Sequence, residues 1–423
     1  MDIRIPKGFR DMLPEEALLR NNMIAESQQV FQSYGYLPID TPILEYSHIL
    51  LGKSGGETEK QMYRFQDNGG RDLALRFDLT VPFARFLSMH SHQLIFPFRR
   101  FHIGKVFRGE NTQRGRYREF IQCDFDVVGS SSFTTDLEIL MVAASTLHVL
   151  QTGSIAIHIS HKKLIEEILQ MYCVPQTKYT QIFRAIDKIH KTGLDIFKKS
   201  MENTLDHEIL TFLLFFLKLR NEDLIQEIES IKSLTINNLA TYFRNLQAMS
   251  SHMGSYVSFI FDPTIVRGLD YYTGMVFECF LIEEDETGAL CSGGRYDSLT
   301  SVYTHRKLPC VGGSIGIDRV LACTHTSAVK TKISILILNL GEDFLSYYYQ
   351  LAAHLREKQY TVEIFPDVRK LAKQLQYAEK KKISYGVICG SREIESHTLM
   401  LRNIQKKENT GPHTWEALSH LLY

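Results

Sequence analysis

Residues 98–129, FRRFHIGKVFRGENTQRGRYREFIQCDFDVVG, constrain this chain more than any other stretch. They read as two strands of alternating polarity joined by a segment, 109–118, almost without apolar residues. That segment is too long for a tight hairpin turn. In the second strand Ile121, Cys123, Phe125 and Val127 share one face, and Phe120, Gln122, Asp124 and Asp126 share the other. The first face belongs in a core, and the second is free for chemistry. Gln122 and Asp126 lie about 13 Å apart along the strand, which lets them bracket a small molecule. Arg108, Arg114, Arg116 and Arg118 add planar forks that match phosphate oxygens. The bland alternative is a solvated hairpin whose charges pair across the strands.

Further words carry chemistry-bearing types. In LALRFDLTVPF, residues 73–83, a strand reading puts Arg76, Asp78 and Thr80 on one face, with Pro82 in the first turn of a following helix. Such a strand end can line a ligand pocket, or Asp78 and Thr80 can simply cap the helix. VRGLDYYTGMVFECF, residues 266–280, has strand composition after a Gly-Leu-Asp turn. SGGRYD, residues 292–297, and GGSIGIDRV, residues 312–320, supply bare backbone that a ligand can approach closely, the second leading to Arg319 at the start of a helix. No Walker-type lysine motif occurs, nor a GxGxxG after a strand, so kinase-like and dinucleotide-binding readings lack support.

Charge is balanced, 48 Lys plus Arg against 48 Asp plus Glu, so any nucleic-acid contact must come from local patches. The seven cysteines form no CxxC pair, which argues against a disulfide framework or a zinc site and fits a reducing, cytoplasmic setting. No apolar run approaches the roughly 18 residues of a membrane span.

Apolar spacing at Leu18, Met23, Val30 and Phe31 predicts a long helix over residues 15–34, and TDLE at 135–138 marks the start of another. Residues 162–250 are helix-rich and read as an insertion. Residues 324–333 are a polar linker, and residues 334–423 read as strand and helix alternating around a sheet covered on both faces.

RGRYREF and QCDFD, at 114–120 and 122–126, resemble motif 2 of class II aminoacyl-tRNA synthetases, in the wording of the histidyl-tRNA synthetases. PKGFRDMLP (6–14), YLPIDTPILE (36–45), RGLDYYTG (267–274) and GGSIGIDRV resemble that family's entry segment, motif 1, histidine signature and motif 3, in the same order. The resemblance covers essentially the whole chain. It implies an α+β catalytic domain with a mixed, mainly antiparallel sheet (1–161 and 251–323), a helical insertion (162–250) and a C-terminal α/β anticodon-binding domain (334–423).

By the same resemblance Asp78, Thr80, Gln122, Asp126, Tyr271 and Tyr272 would line a histidine site. Arg108 and Arg267 would meet the α-phosphate of ATP, with Arg319 on the triphosphate tail, Arg116 also in the ATP site, Phe120 stacked on adenine and Mg²⁺ bridging the phosphates. Gln113 is the candidate reader of the tRNA, lysines 370, 373, 380, 381 and 382 are candidate phosphate contacts, and motif 1 implies a homodimer. The implied activity is ligation of histidine to its tRNA. The rivals are a catalytically inactive regulatory subunit and a synthetase-like tRNA sensor, though this chain keeps both the RGLDYYTG word and the C-terminal domain.

Overall fold

The structure, a computed structural model, describes residues 3–51, 57–112, 115–231, 233–250, 253–266, 272–282, 288–303, 307–324 and 334–421. It forms two compact units, residues 1–326 and 327–423.

The first unit is organised on an eight-stranded sheet. Its strands are β1 (Leu37–Pro38), β5 (Phe98–Phe107), β6 (Glu119–Val128), β7 (Ile155–His161), β8 (Val257–Phe261), β9 (Met275–Leu281), β10 (Cys291–Arg295) and β11 (Cys310–Gly316). The short β2 (Leu44–Tyr46), β3 (Arg64–Gln66) and β4 (Asp72–Leu75) make a separate three-stranded sheet. The order in the large sheet is β1-β5-β6-β11-β10-β9-β7-β8, antiparallel except at its two edges, where β1 lies parallel to β5 and β8 parallel to β7.

Alternation on β6 sorts its side chains as the sequence predicts. Ile121, Cys123, Phe125 and Val127 enter the main core together with Met23 and Phe31 of the helix Pro14–Ser33 and with the helix Phe133–Val149. Leu18, expected on the buried stripe of the first helix, is 42% exposed, because the buried face follows Met23, Ser27 and Phe31, one residue in four. The second long helix begins at Phe133, with Ser132 as its cap accepting the Thr134 N–H, two residues before the start read from TDLE.

Two other expectations are corrected. The strand read through Arg76, Asp78 and Thr80 stops at Leu75, while the expected helix, with Pro82 in its first turn, is present and runs from Thr80 to His90. Arg76 turns inward, its Nε and Nη1 donating to the carbonyls of Lys105 and Thr41, so its side chain ties backbone together instead of facing a ligand. The turn that the family resemblance implies at 292–297 is mostly strand: Ser292–Arg295 belong to β10, whose glycines oppose those of β11.

Between the parallel neighbours β7 and β8 the chain makes helices from Lys162–Met171 to Leu234–Ser250. Their buried residues, among them Leu164, Ile182, Phe216 and Phe243, belong to the same apolar cluster as the sheet. A buried ion pair reinforces this join. Arg295 of β10 donates through Nε and Nη2 to Asp136 (2.9 and 2.5 Å), and Tyr242 of the last of these helices donates its hydroxyl to the same carboxylate.

The entry segment is fastened by Arg10, which pairs with Glu16 (2.6 Å) and Asp318 (2.5 Å) and lies 4.0 Å over the Tyr117 ring. Asp318 in turn accepts the Ile121 N–H at 2.8 Å. The residue words that stand far apart in sequence thus meet at one corner.

The second unit has a five-stranded sheet, β12 (Ser334–Ile337), β13 (Thr361–Ile364), β14 (Tyr385–Ile388), β15 (Leu399–Asn403) and β16 (Glu408–His413), in the order β13-β12-β14-β15-β16. Its first three strands are parallel, as the alternation of strand and helix predicts. The antiparallel pair β15–β16 extends the expected pattern.

Candidate active site

The outward face of β6 forms the floor of a cavity of about 1540 Å³ whose walls come from the segment around Asp78, the loop after β5, β9–β11 and the start of the helix Ile317–Cys323. Pairing places a row of polar side chains in register, five of them on this floor, Asp124, Ser314, Ser292, Glu278 and His158 on β6, β11, β10, β9 and β7, with buried His102 on β5 extending the row beside Asp124. With strands about 4.8 Å apart, the row spans roughly 24 Å.

One end is acidic. Asp78, Asp124 and Asp126 line it together with Thr80, Gln122 and Tyr272. Asp78 serves both functions read from sequence, because its Oδ1 accepts the Val81 N–H in the first helical turn (3.0 Å) while the residue borders the cavity. Burial raises its proton affinity above the usual carboxylate range, against the pull of Val81 N–H and Arg108.

Asp126 is more deeply held. Arg100, opposite it on β5, brings Nη2 within 2.6 Å of Oδ2, and the Tyr296 hydroxyl donates to Oδ1. A side chain at Gly312 would collide with Asp126 Oδ1, so only glycine leaves the carboxylate its room. The Arg100 side chain is fully buried, stacked 3.9 Å over Phe83. Burial also lifts Asp126, opposed by Arg100 and Tyr296.

The other part is cationic. Arg108 reaches over Phe77 (4.5 Å) and Phe120 (5.1 Å) and donates Nε to the Phe77 carbonyl. Arg116 is paired with Glu110, and Arg319 donates Nη1 to the Ala289 carbonyl at 2.6 Å. Burial, then Arg116 and Arg108, lowers the proton affinity of Arg319, which records three guanidiniums crowded around one space. Such an array favours an anion with several oxygens.

A third group, on the β7–β8 side, comes from the helical segment as well as the sheet. Asp262, fully buried, faces His158 Nδ1 (3.0 Å) and Arg220 (3.1 Å), and Thr264 bridges it to His190 Nε2 (2.7 Å). Burial alone would raise the Asp262 carboxyl, but bonds from His158, Arg220 and Thr264 hold it below the usual range.

Of the residues singled out from sequence, Asp78, Thr80, Arg108, Arg116, Phe120, Gln122, Asp126, Tyr272 and Arg319 all line this one cavity. Gln113, Arg267 and Tyr271 lie outside the described residues. Sequence reasoning did not assign Asp124, Tyr296 or His158 to the site, nor His190 and Lys191 from the helical segment, all of which line it; Arg100, behind Asp126, was not assigned either. Asp124 was legible, since it shares the face of Gln122 and Asp126. Arg100 and Tyr296 depend on strand register and on contacts between residues up to 170 positions apart.

A family model of histidyl-tRNA synthetases matches residues 8–320, and one of anticodon-binding domains matches residues 334–420. The chain belongs to the histidyl-tRNA synthetase family. It is 42% identical over 395 residues to the histidine–tRNA ligase of Treponema denticola, covering 91% of this chain and 88% of that one. The histidine–tRNA ligase of Helicobacter pylori strain HPAG1 is 38% identical over 416 residues, 95% of this chain and 93% of the relative. Among solved structures, histidyl-tRNA synthetase from Nostoc sp. PCC 7120 superposes with a TM-score of 0.87 at 27% identity, covering 100% of this chain and 99% of that one. A Bacillus halodurans protein described as an ATP phosphoribosyltransferase regulatory subunit/histidyl-tRNA synthetase superposes with a TM-score of 0.76 over 89% of this chain and 97% of that one; at 24% identity it shares the fold.

Proposed function

We propose that this chain is a histidine–tRNA ligase, which activates L-histidine with ATP to histidyl-adenylate and transfers the acyl group to the 3′ end of histidine tRNA. The observation that carries the reading is the polarity of the cavity: buried carboxylates at one end and three converging guanidiniums at the other, joined by one continuous sheet floor. An amino acid presents a cation to the first and its carboxylate toward the second, where a nucleotide's phosphates belong.

In the first step a histidine carboxylate oxygen attacks the α-phosphorus and pyrophosphate leaves. In the second, a ribose hydroxyl of the tRNA attacks the acyl carbon and AMP leaves. In-line displacement at phosphorus calls for positioning and charge neutralisation more than for a protein nucleophile. Arg108 holds the α-phosphate, Arg116 and Arg319 hold the tail, and Phe120 stacks on adenine, with Arg108 already lying over its ring. Asp78, Thr80, Gln122, Asp126 and Tyr272 receive histidine. Arg267, Tyr271 and Gln113 keep the roles that the resemblance implies. Mg²⁺ would enter as part of the ATP substrate complex and help neutralise the phosphates.

The helical segment would approach the acceptor arm and residues 334–423 the anticodon. The chain would work as a cytoplasmic homodimer joined through motif 1, where Leu37, Ile43, Leu44 and Tyr46 are exposed. The relatives' ligase names and the retained RGLDYYTG word favour the enzyme over the regulatory reading. Histidine-dependent exchange of labelled pyrophosphate into ATP by the purified chain tests this directly. A folded, ATP-binding sample without exchange would overturn it in favour of a regulatory or sensing role.

A further inference from the structure

Three carboxylates border the acidic end of the cavity, and they are not equally satisfied. Asp126 has Arg100 and Tyr296, and Asp78 has the Val81 N–H. Asp124, only 2% exposed, has no hydrogen-bond partner at Oδ1. Gln122 Oε1 beside it also lacks a partner, and the hydroxyl of Ser314, its cross-strand neighbour on β11, is a side-chain donor turned toward it. A buried acceptor left unpaired costs about 1–3 kcal/mol, so two of them facing one cavity, Asp124 Oδ1 and Gln122 Oε1, mark where donors of a ligand belong.

The charges facing Asp124 are few. On β5, Arg100 attracts it, while its direct neighbour His102 is buried and neutral, pushed down to about 3 by burial and by Arg100 and Arg76. Arg76 lies near but spends its donors on backbone carbonyls. Asp126 on the same strand and Asp78 before the helix repel it. Burial, outweighing the pull of Arg100 and of the Ser314 hydroxyl, together with these two neighbours pushes Asp124 up to about 7.

We propose that Asp124 is a further specificity-determining residue for the amino acid, exchanging its proton for an N–H donor of the substrate when the pocket fills. The proton leaves to solvent, the resulting carboxylate accepts the substrate N–H, and no covalent bond is made. Histidine offers such donors in its ammonium and its imidazole. An amino acid without a donor at that point leaves Asp124 either protonated and unpaired or charged and unpaired, and both disfavour binding. This inference rests on the histidine–tRNA ligase reading.

The test is calorimetric titration of the full chain with L-histidine at pH 7, in phosphate and in Tris, whose different ionisation heats reveal protons released. Free imidazole is then mostly neutral, so the ligand contributes little. The wild type should release a fraction of a proton per site, as a carboxyl raised by burial into this pH range does when it takes up an N–H donor. Asp124→Asn should lose that release and bind histidine at least tenfold more weakly, with ATP affinity unchanged within twofold. The ATP titration also reports that the variant is folded. Histidine binding without proton release by the wild type overturns the inference whatever the variant does. So does an Asp124→Asn chain that binds histidine within twofold of wild type and releases the same protons. A wild type that binds ATP but no histidine would remove both this inference and the ligase reading.

Discussion

Arg100 and Asp126 face each other across the β5–β6 ladder, Nη2 to Oδ2 at 2.6 Å, with the Arg100 side chain wholly shielded from solvent. Breaking such a pair from one side leaves a charge with nothing to balance it, which costs about 3–5 kcal/mol. Arg100→Met should therefore unfold at markedly lower urea. Arg100→Met combined with Asp126→Asn should recover part of the loss, because the residual carboxylate is gone. Strictly additive losses in the double variant would show that the two side chains are not coupled.

Gly312 gives a gentler handle on the same carboxylate. A methyl group there meets Asp126 Oδ1, with the Phe125 carbonyl also within 2.8 Å, so Gly312→Ala must displace the side chain from Tyr296 and Arg100. The expected result is a histidine KM raised roughly tenfold or more with the ATP KM nearly unchanged, the pattern of a lost ground-state contact. Steady-state exchange assays with each substrate varied in turn decide it, and a selective rise in the ATP KM would place Asp126 with the nucleotide instead.

What could be read in the sequence follows from how local the signal is. Strict alternation on β6 put Gln122, Asp124 and Asp126 on the open face, and pairing confirms that face as the cavity floor. The same two-residue period misled at Arg76, Asp78 and Thr80. There a strand end, a turn and a helix start succeed one another, and Asp78 reaches the cavity from the turn. Gly293 and Gly294, read as bare backbone, lie in β10, where a side chain at Gly293 would strike the Gly312 carbonyl of β11. β16 escaped notice because all but the last of its residues are exposed and it has no apolar alternation, ENTGPH. Arg100 could not be ranked above Arg99, its neighbour, without the register that sets one against Asp126 and leaves the other to pair with Glu138.

Arg319 tests the cationic end. Its guanidinium shares its space with Arg108 and Arg116, and a polyphosphate would relieve their mutual repulsion. Arg319→Ala should lower kcat/KM for ATP in pyrophosphate exchange by roughly 10²–10³-fold, in the range of a removed preorganised donor. Histidine affinity, measured without ATP, should stay within twofold. A variant with normal ATP kinetics would remove Arg319 from the phosphate site.

Acid stability provides the last test, because two groups of this fold push it in opposite directions. His161 is buried and held down to about 3, first by burial and then by Lys163 and Arg295, whereas an unfolded histidine titrates near 6.5. Between those values the unfolded chain binds a proton that the folded one refuses, so His161 contributes stability that is present above 6.5 and is lost as pH falls toward 3. Asp124 has the reverse sign. Raised to about 7, it takes a proton in the folded state that an unfolded carboxylate does not take until about 4, so its contribution grows as pH falls through 7 and is lost as pH rises through it. Each group changes stability by up to about 1.4 kcal/mol per pH unit inside its window. Urea unfolding of the ligand-free chain between pH 7.5 and 4.5 should therefore show a flatter acid decline for His161→Gln and a steeper one for Asp124→Asn. If Asp124→Asn instead parallels the wild type over this range, its carboxyl is ionised in the empty protein, and burial does not govern it.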